Sequence, residues 1–227
     1  MKVQTQFSRH ADHYGHYNVI QRQVVKKLLG DLETEPEYIL DLGCGEGALY
    51  EALPWKPKYF IGVDFAPGML ELHPKKEGVE CVYGDFDDPG LFEHLQHISF
   101  DHIFSASALQ WSHDLEHTFA NIASLNTPVS FAIFTSNTFK SLFKTASVDP
   151  VLRSVEEVKA LAELHFNADY ELVNYTLGFD SVREMFRYIK RSGVSGGRSV
   201  LSYKDTKRLM REYPFDYLEF EVLFIRS

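Results

Sequence analysis

The chain has 227 residues, 44% of them hydrophobic, with 18 Phe and 12 Tyr, and this size and apolar content are typical of one globular domain rather than a disordered or fibrous chain. Its first residues, MKVQTQFSRH, are polar and no apolar run approaches the roughly 20 residues that span a bilayer, so we expect a cytoplasmic protein without a signal peptide or membrane span. The formal net charge of −9 disfavours nucleic acid as a partner, and the two cysteines suit neither a zinc site nor a disulfide framework.

The first predicted element is a polar helical arm over residues 4–30, in which a sparse apolar stripe ends at Gly30. Seven short β-rich runs follow the arm. They cover residues 38–42, 59–63, 79–83, 102–106, 129–135, 170–177 and 217–225. Because helix-compatible stretches separate the first five runs, we predict an α/β fold with a seven-stranded, mostly parallel, doubly wound sheet. No linker or repeat interrupts the pattern, so residues 1–227 are predicted to form a single domain.

The connection between the last two predicted strands, residues 178–216, is too long for a tight hairpin. It contains two helical patterns on either side of a glycine-rich break, RSGVSGGRS, and we therefore predict a helical insertion before the last strand. From Arg183 to Arg211 the insertion carries nine Lys or Arg residues and two acidic residues, a net charge of +7. This basic insertion is either a pair of solvated helix faces or a surface that attracts an acidic partner.

The most informative segment, residues 39–47, is an apolar strand that enters a glycine loop, ILDLGCGEG. Small residues in such a loop let a ligand approach backbone N–H groups at the start of a helix. Gly43, Gly45 and Ala48 match the dinucleotide pattern G-x-G-x-x-G/A. Gly43, Gly45 and Gly47 match the loop of S-adenosylmethionine (SAM) methyltransferases equally well. The glycines alone leave both ligands open.

Acidic side chains around the loop favour a cationic ligand. Asp41 ends the strand and Glu46 lies inside the loop, where both would repel a pyrophosphate and attract a sulfonium or an ammonium group. Asp64 follows the second strand, 21 residues after Gly43, at a position where a carboxylate can accept hydrogen bonds from the two ribose hydroxyls of either nucleotide.

Asp85 follows the third strand and separates the alternatives better. A carboxylate at this position can accept a hydrogen bond from the adenine amino group, while Phe86 and Met69 pack on the faces of the ring. A single aspartate after a strand is more often a helix N-cap. Three of them after successive strands predict a nucleoside site along the carboxyl edge of the sheet.

The fourth strand continues as FDHIFSASALQW, residues 100–111, and with the glycine loop and the acids this stretch resembles class I SAM-dependent methyltransferases. Further stretches narrow the resemblance to the malonyl-acyl-carrier-protein O-methyltransferases of biotin synthesis. They are FSRHA at residues 7–11 with Tyr14 and Gln21, ALQW at 108–111, YIKRSG at 188–193, and Tyr213-Pro214 before the last strand. The resemblance extends over nearly the whole chain.

This resemblance implies a Rossmann-like class I methyltransferase fold, SAM as the cofactor, and a malonyl group carried by acyl carrier protein as the substrate. It implies that Ser105 and Ala106 contact the cofactor through their backbone and that Leu109 and Trp111 line the pocket. The other expected cofactor-binding residues are Asp41, Gly43, Gly45, Gly47, Asp64, Met69, Asp85 and Phe86.

The resemblance also implies which residues meet the substrate. Tyr14 in the arm would close over the methyl path as a positioning residue, with Gln21 supporting the arm. Arg153 is the candidate for the arginine that the family places after the fifth strand, where it would contact the malonyl carboxylate. Arg187 and Arg191 in the basic insertion would face the carrier protein.

Methyl transfer from a sulfonium to a carboxylate is an in-line displacement that needs positioning more than proton transfer. The acceptor, with a free pKa of about 4, is already ionised at neutral pH, so no general base is expected. Three alternatives remain open at this stage. They are methylation of a free small carboxylic acid, SAM binding without catalysis, and a nicotinamide-dependent oxidoreductase.

Two groups of histidines have helical spacing that a metal ion sometimes uses: His10, His13 and His16 in the arm, and His113 with His117. Because neither group has an HExxH frame or a cysteine partner, we expect no metal site.

Overall fold

The computed structural model describes residues 18–191 and 203–227, so most of the predicted arm, including Tyr14, lies outside the described part of the chain. The helices are α1 (Val19–Gly30), α2 (Ala48–Ala52), α3 (Pro67–Leu72), α4 (Pro89–Leu95), α5 (Leu115–Ala123), α6 (Lys140–Ala146), α7 (Val155–Glu163), α8 (Val182–Arg191) and α9 (Tyr203–Glu212). The strands are β1 (Tyr38–Leu42), β2 (Tyr59–Asp64), β3 (Val79–Tyr83), β4 (His102–Ala106), β5 (Val129–Phe134), β6 (Asp169–Gly178) and β7 (Tyr217–Arg226). A short 3-10 helix covers Leu109–Trp111.

The seven strands form one sheet in the order β3-β2-β1-β4-β5-β7-β6. The first five are mutually parallel, and β7 runs antiparallel to both of its neighbours, β5 and β6. This arrangement confirms the predicted fold class, and each predicted strand agrees with an observed strand to within one residue at either end. In particular, Asp64 is the last residue of β2 rather than the residue after it.

Alternating residues of the central strands bury two separate hydrophobic layers. In β5, Val129, Phe131 and Ile133 pack in the layer that includes α4, α5 and α7, whereas Ala132 and Phe134 pack in the layer that includes α1, α6, α8 and α9. This period-2 pattern, apolar on both sides, is what a sheet covered by helices on both faces requires. Asp41 shares its face of β1 with Ile39, which packs in the α1 layer.

The predicted helical insertion lies between β6 and β7 and contains α8 and α9. Met185 and Tyr188 of α8 and Leu209 of α9 are buried in the α1 layer. The basic side chains Arg183, Arg187 and Arg211 are exposed. The insertion therefore has an apolar inner face that anchors it and a basic outer face.

Candidate functional site

A cavity of about 90 Å³ lies at the carboxyl ends of β1, β2 and β4, beside the first turns of α1. The chain order of the strands reverses between β1 and β4, and open α/β sheets bind their ligands at such a point. Three acidic side chains, Asp41, Glu46 and Asp64, contribute to the wall. Within residues 18–191 and 203–227, no Lys, Arg or His lines the cavity.

The glycine loop fits tightly into the carboxyl edge of the sheet. Gly43 has a φ of 78°, and a Cβ added to it would lie 2.2 Å from the Cβ of Ala108, so both the backbone conformation and the space require glycine. The N–H groups of Gly43 and Cys44 both donate to the carbonyl of Val63, at 2.7 and 3.0 Å. Gly43 and Gly45 line the cavity, whereas Gly47 packs against His73 and Pro74 on the far side of the loop.

Asp64 connects β2 to the glycine loop. Its Oδ2 accepts a hydrogen bond from the N–H of Gly45 at 2.9 Å and its Oδ1 accepts one from the N–H of Ala66 at 2.8 Å. Burial raises the pKa of Asp64 to about 6 even though these backbone hydrogen bonds lower it. Asp64 therefore shapes the loop as well as lining the cavity.

Asp41 is the most isolated of the three acids. Its side chain is 2% exposed, and none of the hydrogen bonds of the described residues reaches its carboxylate. Burial, with a smaller contribution from the charge of Asp64, raises the pKa of Asp41 to about 8. A buried carboxylate with no donor and no cation is costly when ionised, and a positively charged ligand would relieve that cost.

The side chains expected around the adenine lie in different environments. Met69 and Phe86 are buried and line the cavity, and Phe65 joins them. Asp85 is exposed and is not part of the wall, although its charge contributes to raising the pKa of Asp64. Its Oδ1 accepts a hydrogen bond from the N–H of Asp87 at 3.0 Å. The contact between Asp85 and adenine stays a prediction.

The end of β4 and the turn after it complete the wall. Ala106, Ser107, Ala108 and Trp111 line the cavity, and Ser107 has a φ of 66° that turns the chain toward the 3-10 helix. Ser105 does not line it: its fully buried Oγ donates to the carbonyl of Leu42 at 2.7 Å and thereby ties β4 to β1.

The fold is shared with solved structures. YcgJ from Bacillus subtilis superposes with a TM-score of 0.61 at 16% identity, covering 90% of this chain and 98% of that one. Phosphoethanolamine N-methyltransferase 2 from Haemonchus contortus, solved with SAM, superposes with a TM-score of 0.58 at 16% identity, covering 97% of this chain and 57% of that one. At these identities the likeness concerns the fold.

Sequence comparison indicates the class of reaction. A malonyl-[acyl-carrier protein] O-methyltransferase from Anoxybacillus flavithermus is 24% identical over 240 residues, covering 93% of this chain and 88% of the relative. An enzyme of the same name from a Methylovorus species is 27% identical over 215 residues, covering 85% of this chain and 73% of the relative. Residues 40–134 match a family model described as a methyltransferase domain. The chain is a class I SAM-dependent methyltransferase.

The cavity of this methyltransferase fits SAM as its cofactor. Its acidic wall suits the positive charges of the donor, and Met69 and Phe86 offer apolar contacts for an adenine ring. A diphosphate would meet three carboxylates and no cationic side chain in the described wall. The dinucleotide interpretation of the glycine loop, and with it the oxidoreductase alternative, is therefore abandoned.

Two residues expected at the substrate lie away from the methyltransferase cavity. Leu109 is fully buried in the hydrophobic core, because the tight turns of the 3-10 helix direct Trp111 and not Leu109 to the cavity. Arg153 donates from Nη1 to the carbonyl of Ser112 at 2.9 Å and from Nη2 to the carbonyl of His113 at 3.1 Å. Its guanidinium therefore holds a loop and is not among the residues that line the described cavity, and its contact with the malonyl carboxylate stays a prediction.

The remaining predicted residues of the methyltransferase differ in what the structure says of them. Gln21 is 8% exposed and lies in the cavity wall. Arg187 is exposed on α8, outside the wall. Arg191 is the last residue of α8 and its side chain is not described, and Tyr14 lies outside the described residues. Their roles toward the acceptor stay predictions.

Several residues of the wall were not anticipated from the sequence. They are Asn18, Val25, Cys44, Ala48, Leu49, Phe65, Ser107 and Ala108. The spacing of Asn18, Gln21 and Val25 along one helix face was the available signal for two of them, because residues three and four apart face the same way. The others depend on how the strand ends meet, which local patterns do not show.

No three His, Cys, Asp or Glu side chains in the described ranges are grouped closely enough to hold a metal ion. His113 donates through Nδ1 to the Asp87 carboxylate at 2.7 Å, and its ring is largely exposed. None of the helices in the same ranges is long and apolar enough to cross a membrane.

Proposed function

We propose that this methyltransferase transfers the methyl group of SAM to the free carboxylate of a malonyl thioester on acyl carrier protein, producing the methyl ester that is used early in biotin synthesis. The choice of acceptor rests on similarity to two enzymes that have this activity in their names. The similarity covers 93% of this chain for one of them and 85% for the other. The acid-lined cavity, at the point where the strand order reverses, supports SAM as the methyl donor.

The chemistry of the wall suits a reaction that removes charge. SAM supplies the methyl carbon and a sulfonium that leaves as a neutral thioether. Because an anionic acceptor and a cationic donor neutralise each other in this transfer, a wall that excludes water favours the transition state over the separated ions. Ala106, Ala108 and Trp111 provide such a wall beside the acidic end of the cavity.

The residues of the site have binding and positioning roles in this proposal. Asp41 and Glu46 attract the positive charge of the donor, and Asp64 holds the glycine loop in shape. No residue needs to remove a proton, because a malonyl carboxylate is ionised at neutral pH. The acceptor carboxylate is drawn to the cationic donor rather than to a cation in the described wall.

The proposal is tested by incubating the purified protein with SAM and malonyl-loaded carrier protein. Mass spectrometry should show the gain of one CH2 unit on the acyl group, and mild alkali should release it as methanol because the product is an ester. Acetyl-loaded carrier protein, which lacks a free carboxylate, is the matched control and should gain nothing. A malonyl group that stays unmodified in the presence of bound SAM would refute the proposal.

A free small carboxylic acid is the second candidate acceptor. The described cavity wall holds no Arg or Lys that would select a carrier-bound malonyl group over a free acid, so the site itself does not separate the two acceptors. Methylation of malonate or of a tricarboxylic acid such as trans-aconitate, with no turnover of the carrier-bound malonyl group, would support this candidate instead.

A further inference from the structure

The first turns of α1 contribute three side chains to the cavity wall: Asn18, Gln21 and Val25. Their spacing of three and four residues places them on one face of the helix. Asp41 lies in the same wall, on the face of β1 that is covered by the α1 layer. One end of the cavity is therefore built jointly by α1 and the glycine-loop strand.

Asn18 stands at the N-cap position of α1 but does not cap the helix. Asparagine is favoured there because its side-chain oxygen accepts a hydrogen bond from a backbone N–H of the first turn. In this helix no side-chain cap hydrogen bond forms, and Nδ2 of Asn18 instead donates to Oε1 of Glu46 in the glycine loop, at 3.4 Å. The side chain is used for the cavity and not for the helix.

This orientation leaves two amide oxygens buried without a donor. Oδ1 of Asn18 and Oε1 of Gln21 have no hydrogen-bond partner among the described residues, and the two side chains are only 3% and 8% exposed. Buried polar atoms are nearly always hydrogen-bonded in a folded protein with its ligands and waters bound, because an unsatisfied acceptor costs free energy. A ligand that brings N–H donors would satisfy both.

The charged groups at this end of the cavity restrict the kind of ligand that can supply the missing N–H donors. Asn18, Gln21 and Glu46 all line this end of the cavity and all carry acceptor oxygens, and burial raises the pKa of Glu46 although the nearby charge of Arg22 opposes the shift. A primary ammonium group has one positive charge and three N–H donors and so matches the set. A sulfonium is positive but has no N–H, and a carboxylate would be repelled.

We propose that Asn18 and Gln21, together with Glu46, bind the ammonium group of the methionine portion of SAM. Gln21 then binds the methyl donor, SAM, rather than supporting the arm. The acceptor carboxylate approaches the methyl group from another side of the cavity. The proposal rests on SAM as the methyl donor and is independent of which carboxylate is methylated.

The test compares two ligands that differ by one amino group. Calorimetry would measure the binding of S-adenosylhomocysteine and of its deaminated analogue, S-adenosyl-4-thiobutanoate, to the wild-type protein, to Asn18→Ala and to Gln21→Leu. Wild type should prefer S-adenosylhomocysteine by roughly 10-fold or more, as expected for hydrogen bonds to a charged group. Each substitution should weaken S-adenosylhomocysteine by about 10-fold while it changes the analogue by less than about two-fold, so the preference shrinks.

Val25→Ala is the matched control, because it changes the same helix face without removing a hydrogen-bond acceptor. It should affect the two ligands equally. Equal binding of both ligands by the wild type, which needs no variant to fold, would overturn the proposal. So would an equal loss of both ligands in Asn18→Ala and Gln21→Leu, because that result would show a purely structural role.

Discussion

The Asp41 carboxylate links the stability of the ligand-free methyltransferase to pH. It is 2% exposed, and burial raises its pKa to about 8, whereas the same group in an unfolded chain titrates near its ordinary pKa of 3.8. Between these two values the unfolded chain has lost the proton that the folded protein keeps. The free energy of unfolding from this group therefore falls as the pH rises from about 4 to about 8. A cationic ligand offsets the penalty.

Asp41→Asn should stabilise the ligand-free protein and weaken its binding of SAM. At pH 7 we expect the free energy of unfolding to rise by about 1–3 kcal/mol, because the buried group no longer has to ionise or hold a proton. Below pH 4 the gain should vanish. Calorimetry should show SAM affinity lower by about 10-fold or more, since one attractive charge is lost.

Asp149→Asn is the control for this measurement, because Asp149 is exposed and makes no hydrogen bond or ion pair in the described structure. Its thermal midpoint should follow the wild type across the same pH range. A wild-type stability that does not decline between pH 5 and pH 8 relative to Asp41→Asn would contradict the assignment of this pH dependence to Asp41.

At the scale of elements, the loop between the 3-10 helix and α5 is held from two sides by opposite charges. Asp87 accepts hydrogen bonds from Oγ of Ser112 at 2.7 Å and from the N–H of His113 at 2.9 Å, and these contacts lower the pKa of Asp87 against the effect of its burial. Arg153 donates to the carbonyls of the same two residues. Because Ser112 follows Trp111 directly, this clamp positions the tryptophan in the cavity wall.

Arg153→Met should loosen the Trp111 wall while keeping the length of the side chain. In a Trp55→Phe background Trp111 is the one tryptophan left of the two in the chain, so its fluorescence reports on this wall alone. We expect stronger quenching by acrylamide, a loss of stability of about 1.5–3 kcal/mol and weaker binding of SAM, because two hydrogen bonds from a charged donor disappear.

Glu157→Gln removes the exposed ion pair between Glu157 and Arg153, with its N–O distance of 3.2 Å, but leaves the hydrogen bonds to the loop. It should lower the free energy of unfolding by less than about 1 kcal/mol. The quenching of Trp111 by acrylamide should stay as in the Trp55→Phe protein. If Glu157→Gln and Arg153→Met have the same effect, the clamp does not act through the two carbonyls.

On the scale of the whole molecule, positive charge is concentrated in the insertion and the rest of the chain is acidic. Arg183 to Arg211 carry +7 in a chain of net charge −9, so the rest of the chain carries −16. The apolar inner faces of α8 and α9 are buried, which leaves side chains such as Arg187 exposed to solvent. A basic surface on an otherwise acidic protein attracts an acidic partner mainly by raising the rate of encounter.

Arg187→Glu should lower kcat/KM for the carrier-bound malonyl substrate by about 3- to 10-fold at low ionic strength, and the difference from wild type should shrink in high salt. Malonyl-coenzyme A, which presents the same malonyl group without the carrier protein, should be affected much less. Initial rates at two salt concentrations provide the measurement.

Lys56→Glu is the matched charge reversal, because Lys56 is exposed and precedes β2, at the edge of the sheet opposite the cavity. It should change the rate with the carrier protein by less than two-fold. Equal effects of the two reversals would assign the rate change to net charge alone and would leave the insertion without a docking role.

The sequence by itself determined the strands, the helical insertion and the glycine loop of this protein, because these depend on local patterns. Short β-rich runs identified β1 to β7 to within a residue at each end, and the glycines identified the loop at the end of β1. The acid-rich character of the site was also predictable, since Asp41, Glu46 and Asp64 adjoin those elements in the chain.

Only the tertiary structure decided how each of these residues is used, because burial depends on strand order and on contacts distant in sequence. Asp41 lies in a central strand, one residue before its end, and is buried, whereas Asp85 follows β3 at the edge of the sheet and is exposed. Arg153 is occupied by backbone carbonyls, which no sequence pattern indicates. Likewise, Asn18 has the sequence of a helix cap but lies in the cavity wall, since the glycine loop supplies Glu46 as its partner.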